Sequence, residues 1–282
     1  MVNVESFKGD HFLVHHLRAT LFASNFRFSP LTIDHPFTMG ISLNKYISDS
    51  GFCSRREADR YIEECRVTIN GRDADKGNRV EEGDVVKIDG EPLKKKKAPV
   101  YILLNKPKGV TCTTDLKDKT NIIDFVNFKT RIFPIGRLDK LSEGLIFLTN
   151  DGDIVNKILR AGNGHEKEYI VNVDKPITAE FIKKMRSGVK IPGATTAPCF
   201  VKQEGDNRFK IILTQGLNRQ IRRMCEALDY RVTALKRVRI MNITLSGLPT
   251  GKWRFFSPQE LEAINGMVAN SSKTADGEGM GE

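Results

Sequence analysis

The 282-residue chain lacks the features that would place it in several large classes of protein. No apolar run reaches the roughly 20 residues a helix needs to cross a bilayer, so the chain does not read as an integral membrane protein. Nor is there a basic amphipathic helix of the kind that lies on a membrane surface. Its five cysteines, Cys53, Cys65, Cys112, Cys199 and Cys225, are odd in number and never form a C-x-x-C pair. That argues against a disulfide framework and a zinc site, and suits free thiols in a reducing cytoplasm. There is no G-x-G-x-x-G, no Walker loop and no paired His-Cys cluster, so neither a nucleotide cofactor nor a metal is called for. His165-Glu166 is no zinc motif either, because Tyr169 stands where H-E-x-x-H needs its second histidine. No internal repeat is present.

What the chain has is positive charge. Its 45 Lys+Arg against 35 Asp+Glu leave a formal +10, a surplus that favours a polyanion, with nucleic acid ahead of a membrane. Residues 1 to 40 hold four of the five histidines, His11, His15, His16 and His35, with no sustained helical or strand period. Their basic residues are balanced by Glu5, Asp10 and Asp34, unlike a signal or transit peptide. This stretch is expected to be disordered or appended, with native translation beginning at Met39.

A small module is expected over residues 41 to 93. Ser42 is placed to cap a first helix bearing Leu43, Tyr46 and Ile47. Ser54-Arg55-Arg56-Glu57 reads as a capping box opening a second, with Ala58, Tyr61, Ile62 and Cys65 as its buried stripe. Two strands follow, turned at Asn70-Gly71 and Asp89-Gly90. Residues 41 to 98 carry 13 basic and 12 acidic side chains, so nucleic-acid binding here would depend on placement rather than net charge. Lys94 to Lys97 read as a basic linker over residues 94 to 99.

Residues 100 to 262 are expected to form a larger domain, with residues 263 to 282 as a disordered tail. Strands and helices interleave, but short hairpin-like connections outnumber helical crossovers. The fold class is therefore α+β, a mixed and largely antiparallel sheet with flanking helices. Gly136-Arg137-Leu138-Asp139 to Gly144-Leu145 is the focal stretch: a carboxylate between glycines, in a loop feeding an apolar strand. Such an Asp can be a rigidly held catalytic group or one that merely satisfies turn amides. Tyr169, on the alternating strand Lys167 to Val173, reads equally as core. Residues 213 to 239 hold seven basic and two acidic side chains, the sharpest local surplus. Arg219, Arg223, Lys236, Arg237 and Arg239, with Lys106 in the basic turn Asn105 to Gly109, are thus candidate RNA contacts.

Two resemblances join these pieces. L-N-K-Y-I-S followed by G-x-C-S-R-R-E-A-D-R-Y-I, V-x-I-N-G and G-D-x-V resembles the S4 RNA-binding domain, which implies that Lys45, Arg55, Arg56 and Arg60 face RNA. N-K-P-x-G at Asn105 to Gly109, R-L-D at Arg137 to Asp139, K-E-Y at Lys167 to Tyr169 and N-R-Q-I-R-R-M at Asn218 to Met224 are similar, in order and separation, to the RsuA branch of the RNA pseudouridine synthases. The runs N-K-I-L-R-A-G-N, H-E-K-E-Y and V-D-K-P-I-T are most similar to a subgroup acting on large-subunit RNA.

That resemblance implies cofactor-free isomerisation of uridine in 23S ribosomal RNA, with a tRNA anticodon loop as a second target. Asp139 would act at the ribose, Arg222 would keep it ionised, and Tyr169 would assist at the base. Ile221 would pack beside that ring, and Arg137 would fill the gap left by the extruded uridine. The implied partners are RNA and ribosomal assembly particles, for a cytoplasmic monomer. Open beside this stand a non-catalytic S4-type protein of ribosome assembly and a synthase of the same family acting on another ribosomal uridine.

Overall fold

The structure, a computed structural model, describes residues 40–94, 97–159, 164–269 and 271. The expectations for residues 1 to 39, for Lys95 and Lys96 in the linker and for the tail from residue 272 therefore lie outside the described residues.

In the small module, β1 (Ile41–Ser42) leads into α1 (Leu43–Asp49) and α2 (Arg55–Glu63). Then come β2 (Val67–Ile69), β3 (Arg72–Asp73), β4 (Arg79–Val80), β5 (Val86–Ile88) and β6 (Glu91–Pro92). β1 pairs with β4, and the other four form a sheet in the order β3-β2-β5-β6. Leu43 and Ile47 of α1, Ala58 and Ile62 of α2, and Val67, Val86 and Ile88 of the sheet share one core. The capping box is complete: the Ser54 hydroxyl accepts from the Glu57 amide at 3.2 Å, and the Glu57 carboxylate accepts from the Ser54 amide at 2.8 Å. Asn70-Gly71 and Asp89-Gly90 all sit at positive φ, as a tight hairpin turn requires.

Two local expectations change. The Ser42 hydroxyl donates to Asn44 Oδ1 and makes no cap, because that side chain competes with the helix amides. Cys65 is exposed at φ 53°, since α2 stops at Glu63 and the helical period no longer applies two residues beyond.

Among the described residues, the larger domain is built on a nine-stranded sheet with flanking helices. In chain order it runs β7 (Tyr101–Lys106), α3 (Ile122–Val126), β8 (Phe133–Ile135), β9 (Glu143–Thr149), α4 (Gly152–Leu159), β10 (Lys167–Val173) and α5 (Ala179–Ser187). A two-strand ribbon, β11 (Lys190–Ile191) and β12 (Ala194–Thr195), precedes β13 (Phe200–Gly205), β14 (Arg208–Leu213) and α6 (Gln220–Glu226). β15 (Val232–Ile240), β16 (Ile243–Thr244), β17 (Trp253–Phe255) and α7 (Pro258–Val268) complete it. The strand order is β13-β14-β10-β15-β9-β7-β17, with β16 on β15 and β8 on β9. Every pairing in this sheet is antiparallel except β9 with β15, so the sheet is mixed and largely antiparallel as the sequence predicts.

That parallel seam positions the site. β9 meets β15 at Lys236 opposite Glu143 and Arg237 opposite Gly144. Gly144 has φ 108°, and a Cβ there would stand 2.1 Å from the Arg237 carbonyl oxygen, so only glycine lets the two backbones close. Leu145 to Leu148 behind it are fully buried, the reason that run is continuously apolar. The last helix reaches Val268, past the boundary expected at residue 262. Ile264 and Val268 bury against Leu103, Phe147 and Ile154, and this packing holds the extra turns in helix.

Candidate active site

The loop 136–142, between β8 and β9, is pinned at four points. The Leu138 side chain is buried among Val110, Cys112 and Ile122, and its amide donates to Cys112 Sγ at 3.4 Å. The Gly109 amide donates to the Lys140 carbonyl at 2.8 Å, and the Ser142 amide to the Asp139 carbonyl at 3.0 Å. Asp139 is thereby held with its carboxylate half-buried at the lip of a cleft.

α6 brings the cations. Arg219 sits just before it at φ 48°, an uncommon conformation for a residue with a side chain, and its Nη1 stands 3.8 Å from Asp139 Oδ2. Arg222, in the first turn of the helix, is almost wholly buried and places Nε 3.7 Å from the same oxygen. Its other nitrogens are committed, Nη1 to the Val232 carbonyl at 3.2 Å and Nη2 to the Ser142 hydroxyl at 3.3 Å. Nε makes no hydrogen bond among the described residues, so it faces Asp139 alone. Burial lowers the Arg222 pKa, and the Asp139 charge works against that shift.

Tyr169 is neither sealed in the core nor free of it. Its ring packs against two neighbouring hydrophobic clusters on one face of the sheet, those of Val171 and of Ile146, and also lines the Asp139 cleft, where the Arg237 guanidinium carbon lies 6.0 Å from the ring centre. Ile221 is buried and lines the same cleft, while Arg137 stands exposed at its mouth. Asp139, Tyr169, Arg222, Ile221 and Arg137, drawn from separate stretches of chain, thus surround one cavity.

The other expected RNA contacts divide. Arg55, Arg56 and Arg60 are exposed on α2. Lys45 instead reaches Asp49 at 2.6 Å and Asp153 of α4 at 3.3 Å, which ties the small module to the larger domain. Lys106 is fully buried, with Nζ donating to the Pro107 and Val110 carbonyls at 2.9 Å, so it braces the turn beneath the Asp139 loop and offers nothing to a surface ligand.

Residues 213 to 239 do not form one basic wall, because β15 alternates its side chains between two faces and a register shift between Arg237 and Arg239 puts these two on opposite faces. Arg237 is buried on the Tyr169 side, with Nε donating to the Leu145 carbonyl at 2.6 Å. Lys236 and Arg239 line a different hollow on the other face, where Arg239 pairs with Glu166 at 2.9 Å and Glu168 at 3.1 Å. Arg223 is half-buried and donates to the Asn218 and Pro192 carbonyls.

Some neighbours of the site were given no role by the sequence. Ser142 orients Arg222, Cys112 accepts from the Leu138 amide, and Lys167 lies on the floor of a groove next to the Asp139 cleft. Their proximity exists only in the folded sheet.

Comparison with known proteins agrees with this geometry. Residues 100–227 match the family of RNA pseudouridylate synthases, and residues 42–86 match the S4 domain. The chain is 58% identical over 234 residues to the dual-specificity RNA pseudouridine synthase RluF of Escherichia coli (strain K12), spanning 82% of this chain and 81% of that one. It is 34% identical to the ribosomal large subunit pseudouridine synthase B of Bacillus subtilis (strain 168), over 80% of this chain and 96% of that protein. A crystal structure of a pseudouridylate synthase superposes with a TM-score of 0.59 at 26% identity, covering 80% of this chain and 100% of the other. With one carboxylate, one arginine and one tyrosine converging behind a module of S4 type, the chain belongs to the family of S4-domain-bearing RNA pseudouridine synthases.

Proposed function

We propose that this enzyme converts one uridine of 23S ribosomal RNA to pseudouridine, and a uridine in a tRNA anticodon loop as a second substrate. The reading of two substrates is supported by the 58% identity to a relative described as dual-specificity. The reaction exchanges the bond from ribose C1′ to uracil N1 for one from C1′ to C5. It consumes no oxidant and no co-substrate: the C5 proton leaves and N1 gains one.

In this proposal Asp139 acts at the ribose, either as nucleophile on C1′ or as base at C2′. Either role needs it ionised, and Arg222, locked by Ser142 and Val232, supplies a cation without having to reorganise. Tyr169 stands against the base and assists loss of the C5 proton, with Ile221 packed beside it. Arg137, free at the mouth, takes the space vacated by the extruded nucleotide. The enzyme works as a cytoplasmic monomer, its α2 arginines meeting structured RNA.

One observation carries the reading: the one nitrogen of buried Arg222 that makes no hydrogen bond among the described residues faces the Asp139 carboxylate at 3.7 Å. RNA tritiated at uracil C5 tests it. Wild type should release label to water from large-subunit RNA and from tRNA, while Asp139→Asn should lose at least about 10³-fold in rate and still bind RNA. Equal release by Asp139→Asn removes Asp139 from the chemistry, and release from large-subunit RNA alone removes the second substrate.

A further inference from the structure

Beside the Asp139 cleft, and sharing Arg137, Asp139, Tyr169 and Arg219 with it, runs a second groove. Five cations line it, Arg137, Lys140, Lys167, Arg219 and Arg237, against one carboxylate, Asp139. That carboxylate is already shared by Arg219 and Arg222.

Two of the cations are out of place for a surface that merely attracts RNA. Lys167 is 7% exposed and Arg237 5%, and neither has a carboxylate partner among the described residues. Lys167 Nζ donates to two backbone carbonyls, those of His165 at 2.9 Å and Thr214 at 3.3 Å, which leaves its third N–H without an acceptor among the described residues. Arg237 spends Nε on the Leu145 carbonyl, and its buried Nη2 has no hydrogen-bond partner among them.

Arg239, two residues along the same strand, shows what ordinary satisfaction looks like here: both Glu166 and Glu168 neutralise it. Burying two like charges side by side without a counter-ion is unfavourable, and folds keep such an arrangement where a ligand supplies the missing charge.

We infer that Lys167 and Arg237 form a buried anion site on the floor of this groove, and that its ligand is an RNA phosphate adjacent to the nucleotide entering the Asp139 cleft. The inference rests on that cleft receiving the nucleotide. The two cavities share a wall, so a nucleotide held over Asp139 carries its neighbouring phosphate toward the groove. There, a non-bridging oxygen can accept from the free Lys167 N–H and from Arg237 Nη2 as charge-assisted hydrogen bonds. The site thus fixes the register of the strand relative to the carboxylate, while Arg137 and Lys140 at the rim remain free to follow its path.

Binding and stability, measured without turnover, test this separately from the chemistry. Lys167→Met keeps the length of the side chain and removes its charge. It should weaken binding of a stem-loop RNA substrate about tenfold and reduce the slope of log K against log salt by about 0.7 to 0.9, one phosphate's worth. The free variant should melt a few degrees higher than wild type, because an uncompensated charge is gone, and inorganic phosphate should raise the melting temperature of wild type but not of the variant.

A lower melting temperature with unchanged salt slope would make Lys167 a structural brace and overturn the proposal. So would intact affinity and slope with slowed tritium release, which would assign the cations to charge developing on the uracil. If the variant does not fold, wild-type crystals soaked in inorganic phosphate decide the matter. An anion about 3 Å from Lys167 Nζ and Arg237 Nη2 upholds the site, and phosphate bound only elsewhere rejects it.

Discussion

The basic residues of α2 and those beneath the Asp139 loop are the same chemical types put to opposite uses. Arg55, Arg56 and Arg60 lie in solvent. There a charge acts over a Debye length, is screened by salt, and asks little of geometry. Arg222, Arg237, Lys106 and Lys167 are buried within or beside the cleft, where each is oriented by backbone carbonyls and a missing partner is expensive. Under the proposed function, the exposed cations attract and orient RNA, whereas buried Arg222, Arg237 and Lys167 decide where a single carboxylate or phosphate oxygen can stand.

Four measurements sharpen that contrast or break it. The greatest effect is expected from Gly144→Ala, which drives a Cβ into the Arg237 carbonyl at a φ of 108°. A loss of about 4 kcal/mol or more in denaturant unfolding should follow. A loss below about 1 kcal/mol would mean that the β9–β15 seam is loose and the buried cations are not fixed by it.

Arg222→Ala should lower kcat by about 10² to 10³-fold, the scale of losing one preorganised electrostatic partner, while Arg222→Lys should recover only part, because one ammonium cannot reach Val232, Ser142 and Asp139 together. Full activity in the lysine variant would reduce this arginine to a generic positive charge.

A pH dependence separates Lys167 from its exposed counterparts. Burial, and then Arg237, lowers its pKa from 10.5 to about 8. Below pH 8 both folded and unfolded chains carry the proton, and the buried charge destabilises the fold. Between about 8 and 10.5 the unfolded chain holds more protons, so the contribution of Lys167 to stability rises with pH, by about 2 kcal/mol at pH 9.5. The stability difference between Lys167→Met and wild type should therefore shrink across that interval. A difference that stays flat from about pH 7.5 to about 9.5 would show that Lys167 is not buried as a cation.

The smallest effects belong to α2. Alanine at Arg55, Arg56 or Arg60 should each weaken RNA binding a few-fold, flatten the salt dependence by about 0.7 to 0.9 for every phosphate no longer neutralised, and raise KM more than it lowers kcat. A fall in kcat at saturating RNA matching that of Arg222→Ala would erase the distinction between the two kinds of site.

Much was legible in the chain itself wherever a signal is local. Ser54 and Glu57 specify a helix start within four residues, Asn70-Gly71 and Asp89-Gly90 specify hairpins, and the apolar run Leu145 to Leu148 reads as the interior strand it is. The motifs around Asp139, Tyr169 and Arg222 likewise singled out three groups that the fold does bring around one cavity.

Charge was the misleading signal. Lys106, Arg237 and Arg239 look alike as letters in a basic stretch, yet one braces a turn, one lies under Tyr169 and one is neutralised by two glutamates. Sequence by itself determined which elements form and singled out the residues proposed to carry chemistry, because propensity, capping and alternation act over a few neighbouring residues. Only the tertiary structure decided which cations reach solvent and which face Asp139. That depends on the parallel closure of β9 on β15, where Gly144 meets Arg237 in a pairing that no local pattern encodes.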